Sequence, residues 1–214
     1  MCRCRQQVGP HDHLSDPQFL RDGASFYGTS LNNSIDFPKV RAWNTREGAE
    51  GAVRLLHLGE TNSTLLHSDA DDQVLLFVPF CEFVRLKGIC VRGSEDNYSP
   101  ATLKLFVNHS EMISGFDTVE RWRPEMSILL SQSGSGDDVI YRLDPAKFLQ
   151  VSVLVLFFVE SFNRDETHLN AITFFGDRSG QSVNRPLATT VVYELWGNPA
   201  DHPALQEEKP VHIL

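Results

Sequence analysis

Long hydrophobic runs are scarce in this chain of 214 residues: the longest, Val153 to Val159, is far short of the ~20 apolar residues that cross a bilayer. No membrane span is expected. Cations are also few, 19 Lys and Arg against 28 Asp and Glu, a formal net charge of −9. Such a chain repels phosphate backbones unless its cations gather on one face, and pairs such as Arg85/Lys87 and Arg121/Arg123 are each too small to make a nucleic-acid footprint. Nucleic acid is therefore excluded as a partner. The first residues, Met1-Cys2-Arg3-Cys4-Arg5, lead into no apolar h-region, so no secretory signal is expected and the protein should stay inside the cell.

Catalytic signatures are missing too. There is no G-x-S-x-G elbow, no G-x-x-x-x-G-K-[ST] loop, no G-x-G-x-x-G and no H-E-x-x-H, which favours a non-enzymatic protein. The four cysteines contain no C-x-x-C, so thioredoxin-type exchange has no support, and in a reducing compartment all four read as thiols. Cys81 and Cys90 lie in an apolar stretch and are expected in the core. Cys2-x-Cys4 with His11-x-His13 provides four metal-capable side chains, but the spacing fits no common zinc module, leaving them weak metal or thiol-sensor candidates; no cofactor is expected. Asp69-Ala70-Asp71-Asp72 spaces carboxylates as a calcium loop does, yet lacks the loop's glycine and distant bidentate Glu, so it reads as turn polarity. Four N-x-[ST] triplets, starting at Asn32, Asn62, Asn97 and Asn108, read as loop polarity. The remaining histidines share no spacing and read as surface residues.

What is present is strand pattern. Residues 1–24 carry Pro10, Pro17 and mixed charge without a period and read as a tail, with residues 25–205 as one domain and 206–214 as a second tail. Lys39 to Asn44 reads as a short edge segment with Trp43 buried. Val74 to Phe80 is apolar on both faces, and Pro79, which has no N–H to donate, belongs at an edge or bulge. Val84 and Leu86 share one parity while Ile89 and Val91 take the other, so a bulge is predicted near Gly88. Leu103 to Val107, Val139 to Leu143, Phe148 to Val159, Leu169 to Gly176 and Thr189 to Trp196 complete the series. Met112 to Asp138 reads as loop-rich, and helical periodicity is nearly absent. Seven to nine strands with polar turns predict an all-β, jelly-roll-like antiparallel sandwich. Asn198-Pro199-Ala200-Asp201-His202 reads as a turn that ends the last strand.

Asp69 and Asp71 in the acidic turn, Val78-Pro79-Phe80, the Val84–Ile89 strand, the Leu31-Asn32-Asn33-Ser34 turn, Phe116-Asp117, and Asn198, Pro199, Asp201 and His202 together resemble the PITH domain, the proteasome-interacting thioredoxin C-terminal module. The Cys2-Arg3-Cys4 start is similar to that of the stand-alone members. The resemblance implies a jelly-roll sandwich, a cytoplasmic or nuclear location, no established catalytic site and docking on the proteasome regulatory particle. A monomer is expected. For the docking surface, the exposed aromatics and arginines that interfaces favour nominate Arg121, Trp122 and Arg123, and the apolar end nominates His212, Ile213 and Leu214. Two other classes stand beside this reading: a small-molecule or glycan-binding jelly roll, and a thiol or metal sensor acting through Cys2 and Cys4.

Overall fold

A computed structural model describes residues 27–57, 66–94, 97–109, 113–132 and 139–183. The expectations for Cys2, Cys4, His11 and His13, for Thr189–Trp196, for Asn198, Pro199, Asp201 and His202, and for His212, Ile213 and Leu214 lie outside them. Nine strands are present among the described residues: β1 (Thr29–Ser30), β2 (Arg41–Trp43), β3 (Leu66–His67), β4 (Val74–Gly93), β5 (Pro100–Val107), β6 (Met126–Leu129), β7 (Ile140–Arg142), β8 (Val151–Ser161) and β9 (His168–Ser182). All their pairings are antiparallel. The structure is a jelly-roll-like β-sandwich.

Strand β4 explains how two layers share one core. Its first part, Val74 to Pro79, pairs with β2 and β8, and β8 continues to β5 and β6; its second part, Val84 to Gly93, pairs with β9 and β7. The pattern suggested two strands here, and the chain makes a single one of 20 residues. Register breaks between Pro79 and Val84, so the proline sits beside the irregularity its missing donor demands, while its carbonyl accepts the Asp36 N–H at 2.9 Å. A second slip falls between Leu86 and Gly88, where the parity change in the sequence places a bulge.

The resulting core joins Val74, Leu76, Val78 and Phe80 with Val84, Leu86 and Ile89 of the same strand, Leu103 and Leu105 of β5, Leu154, Leu156 and Phe158 of β8, and Leu169, Ile172 and Phe174 of β9. Phe80 meets Phe174 edge to face at 5.9 Å, a geometry that adds ~1 kcal/mol beyond area burial. At Gly176 the backbones of the paired strands β4 and β9 come so close that a Cβ would stand 1.9 Å from the Arg85 carbonyl oxygen.

Three expectations are corrected. A helix, α1 (Gly48–Leu56), packs Ala52, Leu55 and Leu56 into the core. That i, i+3, i+4 spacing is the helical signature, masked by the weak helix formers Gly48 and Gly51. The Met112–Asp138 region holds a second short helix, α2 (Phe116–Glu120), as well as β6. Cys90 is buried as expected, but Cys81 is exposed. It follows the inward-facing Phe80 at the bend of β4, and alternation turns it to solvent.

Candidate functional site

The Leu31–Ser34 turn and the acidic turn hold several of the motif residues in place for structural reasons. Asn32 is 2% exposed, and its side chain is fully used: Nδ2 donates to the Leu56 and Ile172 carbonyls, both at 2.7 Å, and Oδ1 accepts the Phe174 N–H at 2.9 Å. It ties the Leu31–Ser34 turn to α1 and β9, so this position is a core fastening rather than loop polarity. In the acidic turn, Asp71 accepts the Gln73 N–H at 3.0 Å and the Asn44 amide at 2.6 Å. Asp72 accepts the Ser161 N–H at 3.0 Å. These carboxylates close a turn, in line with the sequence reading, and Asp69 is exposed. Among the described residues no group of three or more His, Cys, Asp or Glu is placed to hold a metal ion.

Two histidines that looked scattered come together. His67 and His168 are register partners on β3 and β9, their rings edge to face at 4.7 Å, and Tyr98 stacks on His168 at 4.5 Å. Glu47 sets Oε1 2.6 Å from His67 Nδ1 and accepts the His67 N–H at 2.9 Å with its other oxygen. Glu166 bridges Arg46 and His168, the latter at 3.1 Å. Burial opposes ionisation of Glu47, but hydrogen bonds from the His67 backbone and ring outweigh it and hold the carboxyl below its ordinary range. Hydrogen bonds from His168 and Arg46 do the same to Glu166. The cluster links the start of α1, β3, the turn at Tyr98 and the start of β9. No spacing rule finds it, because the pairing that creates it is non-local.

On the opposite side of the β2–β4–β8–β5 layer from the main core, a smaller cluster gathers Leu75, Phe106, Ile113, Val119, Val155 and Phe157, with Trp43, Phe77, Phe116 and Trp122 half-buried against it. Helix α2 lies over the β8–β5 side, with Phe116 5.6 Å from Phe157. Trp122 stacks on His109 at 4.0 Å and meets Phe106 edge to face at 5.8 Å, while its neighbours Arg121 and Arg123 are exposed. Lys104 places Nζ 5.8 Å from the centre of the Phe157 ring, and Arg41 is exposed beside Trp43. Trp43 is thus half-buried on the outer face rather than in the main core. The large apolar residues that are exposed, Leu129, Leu149, Phe162 and Val183, stand on four separate segments, which is ordinary for a protein surface.

These features define an all-β sandwich with an apolar, cation-flanked outer face. Solved structures sharing the architecture include the family 89 glycoside hydrolase of Clostridium perfringens (TM-score 0.52, 14% identity, covering 77% of this chain and 17% of that one). The CBM32-1 and CBM32-2 domains of Clostridium perfringens ZmpB, in complex with GalNAc, are similar as well (TM-score 0.51, 9% identity, 76% of this chain and 40% of that one). At those identities the likeness is one of fold. The chain belongs to the PITH domain family, whose family model matches residues 24–195. PITH domain-containing protein 1 of Mus musculus and of Homo sapiens are each 30% identical over 190 residues, 88% of this chain and 86% of theirs. Thioredoxin-like protein 1 of Schizosaccharomyces pombe is 26% identical over 166 residues, 72% of this chain and 53% of its own.

Proposed function

We propose that this chain is a non-enzymatic protein-interaction module that docks, as a monomer in the cytoplasm and nucleus, on the proteasome regulatory particle or a complex associated with it. Family membership over residues 24–195 is the observation that carries this reading. A half-exposed aromatic face flanked by cations agrees with it, since aromatic side chains and arginine are what protein interfaces enrich. The buried carboxamide of Asn32 and the bonded carboxylates of the acidic turn are occupied by the fold itself, while exposed Arg121 and Arg123 beside the half-buried Trp122 offer recognition chemistry among the described residues.

The test is affinity purification of the tagged full chain from its own cells at low salt, with mass spectrometry of what co-purifies. Enrichment of regulatory-particle subunits over a tag-only control is expected. Their absence, with the chain shown to be folded and expressed, would overturn the docking assignment.

A further inference from the structure

The second layer, β7–β4–β9–β1, has an outer face that the main core does not use. Cys90 is the register partner of Ile140 on β7 and of Thr173 on β9, and Gly88 is the partner of Arg142 and Phe175. Their neighbours Ile89 and Phe174 belong to the main core, so alternation turns Cys90, Thr173 and Phe175 away from it. Residues directly opposite share a side, which adds Ile140 and Arg142 to this face. An outward position on an antiparallel sheet is expected to meet solvent, yet Cys90 is only 7% exposed and belongs to neither apolar cluster. Ile140, Thr173 and Phe175 stand half-buried around it.

The chain itself enters over this face. Strand β1 pairs with β9 at Gly176 and Phe175, and Gly28, with φ +85°, turns the preceding residue across the sheet. A Cβ at Gly28 would stand 2.5 Å from the Gly176 carbonyl oxygen, so the turn needs glycine twice over. Tyr27, the first described residue, then lies over Gly88 of β4, where a Cβ would be 2.8 Å from Tyr27 Cδ1 and 2.8 Å from Ile140 Cγ2. Two glycines thus seat one aromatic ring on the face, and the residues that precede it start beside Ile140. Those residues include Leu14, Phe19, Leu20 and Phe26. Four strands about 4.8 Å apart measure about 14 Å across, which about five extended residues span.

We infer that the segment Leu14–Phe26 docks across this face as an intramolecular cover, shielding Cys90 and Phe175, and that it must lift before a partner or a thiol reagent reaches them. The inference goes beyond the interaction-module reading and does not depend on it. Where the described chain begins selects the occupant: Tyr27 is already seated on the face, and the apolar side chains follow directly upstream. Residues 133–138, next to β7, are all Ser, Gly or Asp and offer no apolar side chain. The C-terminal residues depart after Val183, whose N–H donates to the Cys81 carbonyl at 3.1 Å, at the opposite end of the second part of β4. Tethering supplies the affinity, because a segment joined directly to its site acts at an effective concentration of about millimolar, so a few apolar contacts hold it. The family model begins at residue 24, so Phe19 and Leu20 lie outside the matched domain and can be changed without touching its core.

The experiment uses the full chain with C2S/C4S/C81S, which leaves Cys90 as its only cysteine, in three forms: this parent, the parent with F19E/L20E, and the parent with Q7E/V8E as a control that places the same charge upstream of the segment. Labelling of Cys90 by a thiol-reactive dye is timed without denaturant, and urea midpoints confirm that all three fold. The expected result is labelling about tenfold or more faster in F19E/L20E, at an unchanged midpoint, with Q7E/V8E matching the parent. Equal rates in the parent and F19E/L20E overturn the inference. A second measurement fixes the occupant without altering its apolar residues: a spin label on Q18C, in a chain whose four native cysteines are serine, should broaden the amide signals of Ile140, Thr173 and Phe175 more than those of Leu129 and Phe162. Broadening that is absent or spread evenly overturns the cover. So does broadening of this face by a label on A204C but not on Q18C, which makes the C-terminal segment the occupant, or broadening seen only between labelled and unlabelled chains in a mixture, which makes it a second copy.

Discussion

Replacing Asn32 by alanine tests the account of the Leu31–Ser34 turn most directly. The substitution removes three hydrogen bonds of 2.7, 2.7 and 2.9 Å from a site 2% exposed. Each contributes ~1 kcal/mol net, and the Phe174 N–H left without its partner in dry surroundings adds a further desolvation penalty, for a loss of roughly 3–5 kcal/mol. Against a domain stability of about 5–15 kcal/mol that is a large fraction, and it corresponds to a fall in melting temperature of ~10 °C for a chain of this size. Urea denaturation of wild type and N32A at pH 7, with N33A at the exposed neighbouring position as control, measures it. The N33A midpoint should stay within about 0.5 kcal/mol of wild type. An N32D variant adds a sign test. Its carboxylate would face two carbonyl oxygens, so folding favours the protonated form, and its deficit against wild type should shrink as pH falls. N32A within about 0.5 kcal/mol of wild type would refute the claim that this side chain fastens the turn to α1 and β9.

The histidine–carboxylate cluster predicts an acid limb. Glu47 and Glu166 have folded values held below their ordinary ones, so their contribution to stability is present above about pH 4.5 and is lost as pH falls through the lowered folded values. Urea midpoints from pH 7 to pH 3 should therefore fall less steeply in E47Q than in wild type, and parallel curves would contradict the assignment. G176A should abolish soluble expression or lower stability by more than ~3 kcal/mol, because its Cβ meets the Arg85 carbonyl at 1.9 Å, and near-wild-type unfolding would show that β4 and β9 have room to part. In a C2S/C4S background, a thiol-reactive dye should label exposed Cys81 promptly and buried Cys90 only on unfolding; equal rates would place Cys90 at the surface.

Much of the fold was legible because strand signals are local. Parity alone located the bulge at Gly88, and the absent donor of Pro79 located the irregularity in β4, since each follows from the chemistry of one residue and its immediate neighbours. The acidic turn was read correctly for the same reason: Asp71 bonds to a backbone two residues away. Helix α1 was missed although its core positions keep helical spacing, because its glycines are poor helix formers and packing against β9 and the Leu31–Ser34 turn supplies what propensity does not.

The sequence by itself determined the all-β class, most strand positions, the break points of β4 and the family. Only the tertiary structure decided which strands are neighbours, and every surface feature of interest depends on that. The pairing of β3 with β9 puts His67 against His168, residues a hundred positions apart in the chain, and the register of β7, β4 and β9 puts Ile140, Cys90 and Thr173 in one row on the outer face of the second layer. Alternation tells each residue which side of its own strand it occupies. Which residue then stands beside it is settled by long-range closure of the sandwich, where burial of both inner faces permits one register and a slip of one residue would turn every side chain over.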